Sequence, residues 1–194
     1  MSEAQPAVGA GDKRSGPVSA PRLETARLIL RDFCKEDLDD FASTMSDPEV
    51  VRHLAIEPLS REDSMRRIFL AAGQWPIIGM GMWAVERKSD GRMVGHVGFF
   101  DMQRDMTPSL IGLPEMGWIF DPSVHGQGIA LEACRAALEW LDRELGPIEV
   151  PAIISTDNIA SMKLAEKLGF AREANGTYRG EEIAIFRRPA PTQR

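Results

Sequence analysis

Residues 121–133 read DPSVHGQGIALEA, with glycine at 126 and again at 128 immediately ahead of an alanine- and leucine-rich run. Glycine lets a backbone approach a ligand closely or take a positive φ, and the unpaired N–H groups at the start of a helix attract anions. The stretch therefore predicts a phosphate-binding turn that leads into a helix. Three anion-binding designs place glycine this way. A P-loop requires Gly-x4-Gly-Lys-Ser/Thr, and no Lys-Ser/Thr pair follows either glycine. A dinucleotide-binding turn requires Gly-x-Gly-x-x-Gly directly after a buried strand; here five residues separate Phe120 from Gly126, and Leu131 stands at the third glycine. GMGMWA at 79–84 shares the Gly-x-Gly spacing but runs into a strand, where turn chemistry accounts for it.

Working outward, a helix is predicted from about Gln127 to Glu144, with Ile129, Ala133, Ala137, Trp140 and Leu141 on one stripe and Gly146-Pro147 closing it. Three strand-like runs precede it, MWAVERK, RMVGHVGFF and PEMGWIFD, the first two joined through Ser89-Asp90-Gly91. IEVPAIIST follows as a strand, and the intervening helix makes it a parallel neighbour of PEMGWIF in a right-handed β-α-β unit, with Pro151 marking an edge or a splay. NIASMKLAEKLGF is a helix with Ile159, Met162, Leu164 and Leu168 inward, Gly169 at its left-handed cap and Phe170 folding back. A final strand, EEIAIFRR, is reached through a turn, ANGTYRG. Toward the N-terminus, LETARLILRDF reads as a strand and CKEDLDDFASTMSD as a helix stopped by Asp47-Pro48. SREDSMRRIFLAAGQW is a second helix, opening at Ser60 and ending near Gly73.

With 194 residues, 43% hydrophobic and 27% charged, the chain has the profile of one globular domain at 22–190 behind a Gly-, Ala-, Ser- and Pro-rich tail at 1–21 read as mobile. No apolar run is long enough to span a bilayer, so a membrane role is disfavoured. A net charge of -6 without a dense basic cluster disfavours nucleic acid; it suits an amine or basic peptide as substrate and equally serves solubility. Cys34 and Cys134 show no metal-ligand or redox spacing, which fits a reduced, cytoplasmic setting.

His125-Gly126-Gln127-Gly128-Ile129-Ala130 resembles the Arg/Gln-x-x-Gly-x-Gly/Ala signature of the GNAT superfamily of acyl-CoA-dependent N-acyltransferases. LETARLILRDF with SDPEVVRHL, PEMGWIFDPSVHGQGIALEA and NIASMKLAEKLGF are similar, in order, to motifs of its Rim-type branch, the ribosomal-protein acetyltransferases and their relatives, over about Leu23 to Phe186. The resemblance implies an α+β (α/β) fold: a mixed central sheet of six to seven strands, splayed between two central parallel strands and flanked by helices. It implies acetyl-CoA as cofactor, with its pyrophosphate on the backbone from Gly126 to Ala130 and Trp118 and Phe120 lining the cleft for its acyl-carrying arm.

His125 stands where the family carries Arg or Gln; histidine is mostly neutral at pH 7 unless a phosphate raises its pKa, so it is either a weak cradle cation or a loop residue with no role. Glu115 matches an acidic position of the family and is the first candidate for general base, and Glu173 the second. The late-helix tyrosine of many members is replaced by Ala165, and the Rim-type pattern suggests Ser161 as the donor to the leaving sulfur, with Asn158 on the pantetheine or at the helix start. Asn and Ser there also serve capping alone. The implied activity is direct acetyl transfer to a primary amine, a small molecule or a peptide N-terminus, in a ternary complex. Its competitors are a non-catalytic acyl-CoA-binding regulatory domain and a dinucleotide-dependent enzyme. An exposed strand edge could pair two copies as a homodimer.

Overall fold

The computed structural model describes residues 18–191. Most of the segment read as a tail lies outside them, but packing already begins within it. Ala20 is buried and its N–H donates to Asp32 Oδ1 at 2.7 Å, while Trp83 donates its indole N–H to the Pro21 carbonyl at 2.7 Å.

In chain order the elements are β1 (Leu23–Glu24), β2 (Leu28–Arg31), α1 (Leu38–Met45), α2 (Pro48–Val51), α3 (Arg61–Ile78), β3 (Met82–Arg87), β4 (Met93–Phe100), β5 (Met106–Thr107), β6 (Glu115–Phe120), α4 (Ile129–Glu144), β7 (Val150–Ser155), α5 (Ile159–Lys167), β8 (Ala171–Tyr178) and β9 (Glu181–Arg188). They form an α+β architecture of two sheets, β1-β2-β3-β4-β6 and β5-β8-β9-β7. Every ladder is antiparallel. The single mixed sheet expected from the sequence is thus divided in two. Its one parallel pair, β6 beside β7, lies in contact but forms no ladder. Pro151 sits in β7, whose outer edge is unpaired, the setting in which a strand tolerates a missing N–H.

One apolar core joins the two halves where no ladder does, taking in Trp83, Val97 and Met116 from the first sheet and Val150, Ala152, Ala184 and Phe186 from the second. Trp75 of α3, Trp83 of β3 and Trp140 of α4 meet edge to face, with ring centroids 4.6, 5.1 and 5.4 Å apart, in the core between the sheets and α4. A second cluster, built on Phe41, Met45, Val51, Ile68, Ala84 and Met93, seals the other face under α1 and α3. His96 of β4 lies there, stacked on Phe41 with centroids 5.3 Å apart; burial, with Arg67 adding a smaller push, lowers its pKa to about 4, so it is a neutral core residue.

Four local expectations need correction. The second helix does not stop at Gly73; it runs to Ile78 and closes on Gly79 at φ 73. Pro76 lies inside it, and the burial of Trp75, whose indole N–H donates to the Met82 carbonyl at 3.1 Å, keeps that turn in place. Asp47-Pro48, read as a stop, opens the short helix α2, with Asp47 accepting from the Glu49 N–H. ANGTYRG is largely strand: β8 pairs with β9 along its length, and the reversal falls at Arg179-Gly180. Ile159 is exposed, while Ala165, Leu168 and Phe170 carry the buried face of α5 and its cap.

Replacing Trp75 by Ala should cost about 3–5 kcal/mol in urea unfolding. The exposed Phe69→Ala on the same helix should stay within about 0.5 kcal/mol; equal losses would contradict this account of the core.

Candidate active site

β6 is paired along one edge only. The Asp121 N–H donates to the Val94 carbonyl at 3.0 Å, and alternation along an antiparallel ladder then turns the amides of Ile119 and Gly117 toward β4. Those of Trp118 and Met116 turn toward β7, where no strand among the described residues receives them. Side chains alternate as well. Met116, Trp118 and Phe120 face the core under α4, and Ile119 packs with the cluster under α1 and α3, on the side shared by Gly117 and Glu115.

Beyond β6 the chain turns through Gly126 (φ 73) and Gly128 (φ 75), both left-handed, which L side chains rarely adopt. A Cβ on Gly126 would meet nothing within 4 Å, so the glycine serves the backbone shape and keeps the loop bare. No side chain caps α4, and the amides of Gly126, Gly128, Ile129, Ala130 and Leu131 have no acceptor among the described residues. This is a cradle of outward donors at a helix N-terminus, and it fits a pyrophosphate.

The side chains of the cradle have other tasks. His125 Nε2 lies 3.0 Å from the Phe120 carbonyl; a carbonyl only accepts, so Nε2 carries the proton and the ring ties the loop to the end of β6 instead of facing an anion. Gln127 Nε2 donates to the Ser123 carbonyl at 2.7 Å. Ile129 is buried and offers only its backbone, and Ala130 is half-buried. Phe120 is a core residue packed against Gly95, so its side chain does not line the split as expected.

The guanidinium beside the cradle comes from a residue the sequence reading did not single out. Arg27 donates from Nε to Glu132 Oε2 at 2.7 Å and from Nη1 to the Gln127 carbonyl at 2.9 Å, and its Nη2 lies 3.6 Å from where a Gly128 Cβ would be. Thr25 Oγ1 and the Arg27 N–H also donate to Glu132. Burial pushes the Glu132 carboxyl up, but these donors more than reverse it, and its pKa is lowered.

On the α5 side of the split, Asn158 caps the helix by accepting the Ser161 N–H at 3.0 Å. Ser161 Oγ accepts the Trp118 indole N–H at 3.3 Å, which leaves its own proton free to be given. Trp118, Asn158 and Ser161 are therefore brought together.

Glu115 is buried, and both of its oxygens accept from Arg104, at 2.9 Å from Nε and 3.3 Å from Nη2. Arg104 Nη1 donates to the Tyr178 hydroxyl at 2.8 Å. Burial drives the Glu115 carboxyl upward and Arg104 pulls it back, with the balance leaving it raised. Glu173 does not join this group. It is exposed at a β8 bulge, accepts from Arg187 at 2.7 Å, and lies toward the other end of the strand from Tyr178, about 16 Å away at ~3.3 Å per residue. His53 lies 3.0 Å from Asp157 and ties the segment after α2 to the loop before α5.

A sheet split beside a bare-backbone turn, with a helix crossing between the halves, is the architecture of an acyl-CoA-dependent transferase. The chain belongs to the GNAT acetyltransferase family: the model of the acetyltransferase (GNAT) domain matches residues 27–171. It is 29% identical to the uncharacterized N-acetyltransferase YoaA of Bacillus subtilis, over 79% of this chain and 84% of that one. A solved GNAT-family acetyltransferase from Bacillus anthracis superposes with a TM-score of 0.73 at 21% identity, covering 87% of this chain and 98% of that one. RimL, a ribosomal L7/L12 alpha-N-protein acetyltransferase solved with coenzyme A, gives 0.69 at 16% identity over 86% and 96%. At those identities the likeness is one of fold.

Removing Arg104 would leave Glu115 buried without a counter-ion. Arg104→Met should destabilise the fold by about 3–5 kcal/mol at pH 8. A buried carboxyl has a folded pKa above its unfolded value, so its cost vanishes below the unfolded pKa and grows as pH rises through the folded one. The deficit should therefore shrink toward pH 4 in denaturant titrations; a deficit independent of pH would contradict the pairing.

Proposed function

We propose that this protein transfers an acetyl group from acetyl-CoA directly to a primary amine. The carrying observation is the continuity between the unpaired edge of β6 and the donor cradle that follows it, which together offer backbone donors along the path of a phosphate-ended arm. Bound acetyl-CoA supplies an acyl group activated as a thioester. The amides of Gly126, Gly128, Ile129 and Ala130 would hold its pyrophosphate, with Arg27 beside them. The amides of Met116 and Trp118 would donate into the split, toward a carbonyl oxygen that gains charge during transfer. Ser161, oriented by Trp118 and by the Asn158 cap, would give its Oγ proton to the departing sulfur.

The amine approaches from the opposite face of β6, which carries Glu115 and where Gly117 lets the Phe100 ring lie against the strand. An attacking amine must be neutral, and a carboxyl raised by burial takes a proton nearer neutral pH than an exposed one. Because Arg104 occupies both Glu115 oxygens, the proton reaches a remaining lone pair through a water. Glu173, committed to Arg187, would serve only as a surface carboxylate.

Thermal melting with acetyl-CoA, coenzyme A and NAD added separately tests the cofactor. Each coenzyme A species at about a hundred times its Kd should add about 2.7 kcal/mol of stability, and NAD none. Thiol release with an amine panel tests the reaction: Glu115→Gln should lower kcat by about 10²-fold or more, and Ser161→Ala should lower kcat without raising KM. Binding of coenzyme A without thiol release from any amine would instead indicate a non-catalytic acyl-CoA-binding domain.

A further inference from the structure

Most arginines here end on a carboxylate: Arg31 on Asp37 and Glu86, Arg104 on Glu115, Arg188 on Asp142. Arg67 of α3 and Arg179 of the β8–β9 turn do not; like the exposed Arg135 of α4, neither has a side-chain ion pair or hydrogen bond among the described residues. The nearest acid on α3, Asp63, one turn before Arg67, is taken by Arg66 at 2.9 Å and by Ser60.

Arg179 is tied to the face of β6 that carries Glu115, and Arg67 lies close enough to Arg179 for the two charges to interact. The Arg179 guanidinium lies 5.3 Å from the centre of the Tyr178 ring, the Tyr178 hydroxyl accepts from Arg104, and Arg104 holds Glu115. Arg179 is thereby joined to Glu115 by unbroken contacts. Arg67 precedes Ile68, which is buried in the cluster that Ile119 of β6 packs against. Its charge is felt at His96, the ladder partner of Ile119. Burial and then the positive field of Arg179 push the Arg67 pKa down, and Asp63 offsets them only in part.

Resting on the acetyltransferase reading, we infer that the acceptor is an amine carrying an anionic group, a carboxylate or a phosphate, which Arg67 and Arg179 hold while the amine reaches toward Glu115. Guanidinium forks match both anions in geometry. On a chain of net charge -6 the general field repels such a molecule, so an unpaired arginine pair is a local reversal aimed at it.

The test is calorimetric titration of the protein saturated with coenzyme A, which keeps the phosphate cradle filled. The probes are ω-amino acids from glycine to 6-aminohexanoate, aminoalkyl phosphates of matching length, and the carboxamide of each acid. At least one anionic probe should bind ten-fold or more tighter than its neutral counterpart, and the acid and phosphate arms tell the two anions apart. Arg67→Gln and Arg179→Gln should each bring that ratio toward one. Arg135→Gln, an exposed arginine on α4, should keep it. Carboxamides binding as well as acids and phosphates, or a ratio unmoved by both substitutions, overturns the inference. Thiol release without anion preference would leave the acetyltransferase reading standing alone; anion preference without thiol release from any amine would leave only the inference.

Discussion

A sheet that stops pairing in its middle leaves backbone groups that must find partners elsewhere. Here the break falls between β6 and β7, and the unpaired edge of β6 is the constraint around which the molecule is arranged. With no ladder across the break among the described residues, the halves are held by one apolar core, in which Trp83 and Met116 of one sheet and Ala152 and Phe186 of the other are buried together, and by α4, which connects one sheet to the other across it. Pro151 keeps β7 from offering a full set of donors at the gap. The split is thus maintained by what surrounds it.

Strand alternation divides the chemistry of β6 between two faces. Trp118 and Ser161 stand on the α4 and α5 side, and Glu115 with Arg104 and Tyr178 on the other. A group lying in the split would meet a proton donor from one side and a buried carboxylate from the other. The cradle divides its work similarly: Gly126 and Gly128 supply shape, free amides supply donors, and His125 spends its proton on the Phe120 carbonyl. The nearby positive charge arrives from Arg27, about a hundred residues earlier and fixed by Glu132.

Much of this was legible in the sequence, because glycine before a helix, hairpin turns and helix caps leave local marks. Gly128, Gly169, Asn158 and the strands MWAVERK, RMVGHVGFF and EMGWIF all stand near where their patterns put them. Misread features were those decided by tertiary burial. Trp75 carries α3 past Gly73, and pairing with β9 makes strand of a glycine-containing stretch read as a turn. Arg27 with Glu132, and Arg104 with Glu115 and Tyr178, are pairs that only the tertiary fold brings together, and no local pattern in a single sequence marks such partners. The commitment of Glu173 to Arg187 was hidden for the same reason.

The most direct test is amide hydrogen exchange by NMR, residue by residue, with and without coenzyme A. In the free protein Gly117 and Ile119, bonded to β4, should exchange slowly, while Met116, Trp118, Gly126, Gly128 and Ala130 exchange fast. Adding coenzyme A should slow the second group and leave the first as it was. If the second group is already protected without ligand, or stays fast when coenzyme A is bound, the unpaired edge of β6 and its cradle are not the binding surface.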